Sequence, residues 1–235
     1  DLFQYTARQN PGPSAPRNGL MVIDSRADDP DFRAWVREAV IENKYTGYRG
    51  VHVRLKLGDL TSDRARELAE VARRFSAGQL RISIGQNIYL PWVREGKLIE
   101  LHLALKRIEL GEAGVDTVAD VTTCPGADTC RIGIASAKGL GSAVSAAFDN
   151  GLAQYKELAR SLRIKISGCP NGCAQHTVAN IGFHAAALSK DGRTVPAHLL
   201  SLGGQTDPSS AQIASLIGKF PAKSCVKVVE TLLSL

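Results

Sequence analysis

Residues 166–183 read ISGCPNGCAQHTVANIGF, and residues 122–136 read TTCPGADTCRIGIAS. Four of the five cysteines fall in these two stretches, as Cys124 and Cys130 in the first and Cys169 and Cys173 in the second. Both loops open Cys-Pro and contain glycine, so each is a tight turn rather than part of a strand or helix. Each follows a strand-like run, VDTVADVTT or RIKIS, and precedes a predicted helix. Parallel strands joined by right-handed crossovers bring such loops to the same end of a sheet. Two segments distant in sequence are therefore expected to meet, with four thiols around one point.

Working outward, the second half of the chain reads as alternating strands and helices. A helix is expected from GKLIELHLALKRIEL to about residue 110, and another over RIGIASAKGLGSAVSAAF and on towards Arg160. TVANIGFHAAALS reads as a strand after a short helical turn, and VPAHLLSLGG as a strand joined to it at DGR. Two C-terminal helices are expected near 208–219 and 222–234. Ahead of this region GVHVRLKLGDL alternates apolar and polar residues, as a half-buried strand does. TSDRARELAEVARRF follows as a helix capped by Thr61 or Ser62, with Leu68, Val71, Ala72 and Phe75 on one face. GQLRISIGQNIYL returns as strand, with Leu80, Ile82 and Ile84 expected inward. An earlier helix is expected over about 31–42. Residues 1–19 read as an extended loop, and GLMVID as a short strand.

The expected fold class is mixed, α+β and α/β. An extended lead-in (1–30) precedes half of a ferredoxin-like sandwich (31–96), and an α/β domain (97–235) follows. Taken alone, the half-sandwich is expected to expose an apolar sheet face.

Composition sets bounds. The chain has 235 residues, an apolar fraction of 44% and a formal net charge of +6. That is an ordinary globular composition with a mildly basic surface, suited to anionic ligands without demanding them. No run is long enough to cross a membrane as a helix, and no feature points to nucleic acid. Five cysteines are too few for a disulfide framework at this length, so reduced thiols in a cytoplasmic setting are expected. The sequence starts DLFQ, without Met. A processed chain or one piece of a longer protein is the expectation.

Thiolates bind soft metals, and glycine and proline give a tight path around a bulky group. Structural zinc usually takes a two-residue gap in a small knuckle; here the gaps are five and three residues. Wider, unequal loops favour a larger centre such as a 4Fe–4S cluster. Zinc and inert buried thiols remain the alternatives on spacing alone. Cys225, in PAKSCVKVV, has no partner loop and reads as a semi-buried thiol on the last helix.

The pattern Cys-x5-Cys, 38 residues, Cys-x3-Cys resembles the two cluster signatures of the sirohaem-dependent sulfite and nitrite reductases. LRISIGQN resembles the segment of that family's second ferredoxin-like half-domain that ends in Gln-Asn. The resemblance runs from about residue 30 to the C-terminus. It implies an oxidoreductase that reduces sulfite to sulfide, or nitrite to ammonia, by six electrons, using a 4Fe–4S cluster and sirohaem. Cys124, Cys130, Cys169 and Cys173 match the cluster ligands, and Cys173 matches the thiolate shared with the sirohaem iron. Asn171 and Gly172 would let the chain pass close to the macrocycle. Arg81, Gln86 and Asn87 match a segment that contacts it, and they are chemically apt for its carboxylates. His176 reads as a supporting or surface histidine rather than an acid catalyst.

The resemblance further implies a ferredoxin or flavoprotein electron donor. It also implies a missing N-terminal half or partner subunit that supplies most of the substrate-holding basic residues. No catalytic residue is therefore assigned within this chain. The Cys-Pro openings lean towards sulfite by family analogy. A module that holds a cluster for electron transfer or assembly, without substrate chemistry of its own, is the alternative function.

Overall fold

The computed structural model describes residues 28–190 and 192–235. The expected lead-in over 1–19 and the GLMVID strand lie outside them. The chain divides into two compact units, one holding the residues up to Leu55 with Leu60–Val115, the other Lys56–Asp59 with Asp116–Leu235. No helix among the described residues is long and apolar enough to cross a membrane.

The first unit is built from α1 (Pro30–Ala39), β1 (Val40–Glu42), β2 (Tyr48–Val53), α2 (Ser62–Phe75), β3 (Arg81–Ile82), β4 (Ile88–Arg94) and α3 (Leu98–Arg107). Its sheet has the order β1-β2-β4-β3, with every neighbouring pair antiparallel. The helix starts follow local chemistry. Asp29 caps α1 by accepting from the Asp31 N–H at 3.0 Å, and Pro30 sits in the first turn, where no N–H is missed. Thr61 caps α2, accepting from Arg64 N–H at 3.3 Å. The alternation of the strands turns Val51, Val53, Ile88 and Leu90 into one core with Trp35 and Ala39 of α1, Leu68 and Phe75 of α2, and Leu101 and Leu105 of α3. One face of the sheet is thus covered by helices of its own unit.

The expectation for Leu80, Ile82 and Ile84 is corrected. They are 41%, 80% and 78% exposed. β3 is only two residues long, and the chain then turns, with Ser83 N–H bonded to Asn87 O at 2.8 Å and Gln86 in the left-handed region at φ 67°. The turn breaks the alternation that placed these residues inward.

The second unit holds β5 (Thr122–Thr123), α4 (Ala137–Asp149), α5 (Tyr155–Leu158), β6 (Ile164–Ser167), β7 (Ile181–Lys190), β8 (Arg193–Leu202), β9 (Ser215–Pro221) and α6 (Cys225–Leu233). The sheet order is β5-β6-β7-β8-β9. β5, β6 and β7 run parallel, whereas β8 and β9 are antiparallel to their neighbours. Ile164, Ile166, Ile181, Phe183 and Leu200 pack with Val144 and Phe148 of α4 and Val229 of α6. The helix expected near 208–219 is replaced in part by β9. Its apolar residues Ile213, Leu216 and Ile217 are exposed. The open edge of β8 takes up the segment as a strand, pairing Leu199 with Lys219 and Leu200 with Gly218.

Candidate metal centre

The parallel pairing of β5 with β6 brings the two cysteine loops together at one end of the sheet, since Thr123, the last residue of β5, pairs with Ile166, and β6 ends one residue further on at Ser167. The ladder continues into the loops. Cys124 N–H donates to Ile166 O at 3.2 Å, and Ile134 N–H donates to Gly168 O at 2.8 Å. Gly168 N–H donates to the Cys124 Sγ at 3.0 Å. The loops cross backbone to backbone. A Cβ on Gly168 would collide with the Gly126 Cα, and Gly126 itself has φ +61° with Ala137 pressed against it.

All four loop cysteines are free thiols, with Cys124 and Cys169 buried, Cys130 half-buried and Cys173 exposed. The first loop is tied to α4 through Ser136, whose Oγ donates to Asp128 Oδ2 at 2.9 Å and accepts from Gly139 N–H at 2.8 Å. The second loop is tied to β6 through Ser167. Its buried Oγ accepts from Ala174 N–H at 3.3 Å and bonds His176 Nδ1 at 3.0 Å. Ser167 and Gly168 were missed in reading the sequence. The signal was available for Ser167, because IKIS alternates and places Lys165 and Ser167 opposite the core residues Ile164 and Ile166.

The expectation that each loop leads straight into a helix is corrected. Arg131–Ser136 intervene before α4 begins. The second loop ends in the short helical turn expected before the following strand, one 3-10 turn over His176–Val178, and it goes no further because Gln175 is left-handed at φ 61° and Ala179 is already extended. A helix amide end therefore does not face Cys173; the Gly168 amide on Cys124 is the described N–H that serves a thiol.

His176 is not at the surface. It is 3% exposed, and its ring lies 4.6 Å from that of His184. Burial, and then the neighbouring His184, push its pKa down to about 4, so it is neutral at pH 7. Asn171 and Cys173 are exposed, and Gly172 is left-handed at φ 72°. In the first unit Arg81 is exposed, opposite Tyr89 on β4. Asn87 is 1% exposed, and its Oδ1 accepts from Leu55 N–H at 2.8 Å, which makes it a fastening of its own unit. Gln86 sits in the Ser83–Asn87 turn. Cys225 is fully buried rather than semi-buried, and burial raises its thiol pKa to about 11. Its Sγ–H donates to Pro221 O at 3.5 Å.

This donor set suits a thiolate-held cluster. Four thiols come from two loops in backbone contact, and one already receives a peptide N–H, as cluster thiolates do. Among the described residues no three His, Cys, Asp or Glu side chains are grouped so as to hold one metal ion. A cube asks for less convergence than that, because each thiolate takes its own iron. Exposed Ile132 and Ile134 add apolar surface on the first loop, apt for the flank of a flat macrocycle.

The family model described as the nitrite/sulfite reductase ferredoxin-like half domain matches residues 41–108. That described as the nitrite and sulphite reductase 4Fe-4S domain matches residues 114–235. Ferredoxin–nitrite reductase of Zea mays is 31% identical over 224 residues, which cover 92% of this chain and 38% of that protein. The Synechococcus elongatus ferredoxin–nitrite reductase is 27% identical over 179 residues, 75% of this chain and 34% of that one. The chain thus spans little more than a third of the length of these relatives. Among solved structures, the Mycobacterium tuberculosis NirA protein aligns with a TM-score of 0.71 at 19% identity, over 95% of this chain and 39% of that one. Dissimilatory sulfite reductase I aligns at 0.62 and 12%, over 80% of this chain and 62% of that one. Both likenesses concern the fold.

Proposed function

The chain belongs to the nitrite and sulfite reductase family, and on that premise we propose that it is the cluster- and sirohaem-holding part of an enzyme that reduces a small oxyanion by six electrons, sulfite to sulfide or nitrite to ammonia. The observation that carries this reading is the contact between the two cysteine loops, with Gly168 N–H on Cys124 Sγ.

In this reading Cys124, Cys130, Cys169 and Cys173 would hold the 4Fe–4S cluster, and Cys173 would also serve the sirohaem. When bound, the two groups supply single-electron transfer and a metal site for the anion. The chain's own residues hold and shield. Cys124 and Cys169 keep two thiolates out of water, while Cys173 is exposed, as a thiolate with a second ligand to meet must be. The Gly168 amide offsets the charge of the Cys124 thiolate. Ser167 and His176 pin the turn that follows Cys173. Exposed Arg81 is chemically suited to a carboxylate of the macrocycle, as are the side-chain amides of Gln86 and Asn171, and the buried Asn87 fixes the Gln86 turn.

The named relatives are ferredoxin-dependent nitrite reductases, which supports a ferredoxin donor and makes nitrite the first substrate to test beside sulfite. The share of the relatives that the chain spans supports further polypeptide, in the same chain or another, as the source of the remaining substrate contacts. The test is absorption and EPR spectroscopy of the chain after loading with iron, sulfide and sirohaem. Soret and red bands together with a reduced-cluster EPR signal are expected. A cluster signal without haem bands reduces the reading to an electron-transfer module, and absence of both overturns it.

A further inference from the structure

The first unit contains a half-open cavity of about 440 Å³ that the redox reading does not use. That volume lies within the range of small-molecule sites, roughly 300–1,000 Å³. Its walls come from the end of α2, from β2 and β4, and from the start of α3. Three aromatic side chains line it, Tyr48, Phe75 and Trp92. Tyr48 meets Trp92 edge-on, with centroids 6.3 Å apart. The Trp92 plane is held at its edge, because Nε1–H donates to Gln79 Oε1 at 2.8 Å. Tyr45 packs against the same ring, with centroids 5.5 Å apart and a tilt of 51°, and the part of Trp92 that lines the cavity is apolar ring surface on which a planar group can pack.

Around this wall stand four cations, Arg73, Arg74, Arg94 and Lys97, and one carboxylate, Glu100. Arg94 lies directly opposite Tyr48 across β2 and β4, and among the described residues no carboxylate pairs with it. Arg74 and Lys97 share Glu100, and Arg73 pairs with Glu70 one turn back in α2. These are exposed pairs, each worth about 0–1 kcal/mol, so a stronger anion displaces them readily. The Arg74 guanidinium also lies 4.9 Å from the centroid of the Phe75 ring, which orients its fork. Guanidinium forks match phosphate oxygens in pairs.

We propose that this cavity binds a planar organic phosphate of the nucleotide class, with the ring on Trp92 and the phosphate on Arg94 and Arg74. The site is independent of the cysteine loops and goes beyond the oxyanion chemistry.

The chain's two tryptophans make the test direct. Trp35 is fully buried in the core and constant, whereas Trp92 lines the cavity. Emission is followed while the full chain is titrated with ADP, with adenosine and inorganic phosphate as separate arms, and isothermal titration reads the same binding without relying on fluorescence. Saturable quenching and heat with ADP are expected, with both fragments much weaker. Arg94→Gln weakens ADP by about tenfold, as loss of one charge-assisted hydrogen bond does, and Arg94→Lys restores part of it. Both variants keep the wild-type circular dichroism. No saturable ADP binding overturns the proposal, and so does ADP binding that Arg94→Gln and Arg74→Gln together leave unchanged. ADP silence with quenching by polyglutamate also overturns it, and marks the face as a dock for an acidic protein.

Discussion

Cys173 and Cys225 carry the same side chain into opposite surroundings. Cys173 is exposed in a loop it shares with Cys169, and Cys225 is buried in the apolar core of the second unit. Cys173→Ser is expected to lose the sirohaem bands and to weaken the cluster EPR signal, because one sulfur serves both. Cys225→Ser leaves iron and sulfide content unchanged and costs about 1 kcal/mol in urea unfolding, the cost of a more polar group in an apolar site. Retention of a normal spectrum by Cys173→Ser together with loss of iron from Cys225→Ser would reverse the assignment. His198 carries a second residue-scale prediction. It is 1% exposed, packs edge-on against Phe183, and neither ring nitrogen has a partner among the described residues. Burial depresses its pKa to about 4, against about 6.5 in an unfolded chain. Between those values the unfolded state binds the extra proton, so stability is full above about pH 6.5 and falls as the pH drops towards 4. His198→Leu, of similar volume and without a titrating group, should flatten that fall. Urea midpoints at pH 7 and pH 5 check it, and an unchanged difference between the two pH values counts against His198 as the source.

At the scale of elements, the cysteine loops depend on a close backbone crossing and on one helix cap. Gly168→Ala puts a methyl group into the Gly126 Cα. The loops must part, at a cost of about 1–3 kcal/mol, typical of an overpacked site. Iron and sulfide per chain are expected to fall well below wild type, while the circular dichroism of the helices persists. Ser136→Ala removes both the cap of α4 and the partner of Asp128. It is expected to cost about 1 kcal/mol and to make cluster loss in chelator faster. Equal rates of loss in the variant and the wild type would show that the cap does not steady the loop.

Considered as a whole, the chain carries, among the described residues, two hydrophobic cores and two sheet edges with exposed apolar side chains. Ile82 lies on the short edge strand β3 with Ile84 just beyond it, and Leu216 and Ile217 lie on the edge strand β9. Apolar sheet edges pair with other chains unless they are covered. The isolated chain is therefore expected to sediment as concentration-dependent oligomers, and Ile82→Lys with Ile84→Lys should shift it towards monomer. A wild-type chain that stays monomeric across the concentration range would show that these edges need no partner. The expected bare apolar face of the half-sandwich takes a different form here. The unit's own three helices cover one side of the sheet, and the apolar exposure is at the edge.

The two cysteine signatures, the capped α2 and the alternating β2 were legible in sequence because each is set by neighbours a few residues apart. A cap needs its oxygen three residues from an N–H, and a half-buried strand needs only a period of two. Tertiary structure decided what depended on distant partners. AQIASLIGKF has apolar residues at helical spacing, yet its second half became β9 because β8 presented an open ladder, and backbone groups on a buried edge must be bonded. Ile82 and Ile84 alternate like core residues but lie where the chain turns back after a two-residue strand. Gly168 gained its role only when β5 and β6 paired in parallel and laid one loop on the other. The local pattern named the thiols, and the register between the two strands decided which amide would meet one of them.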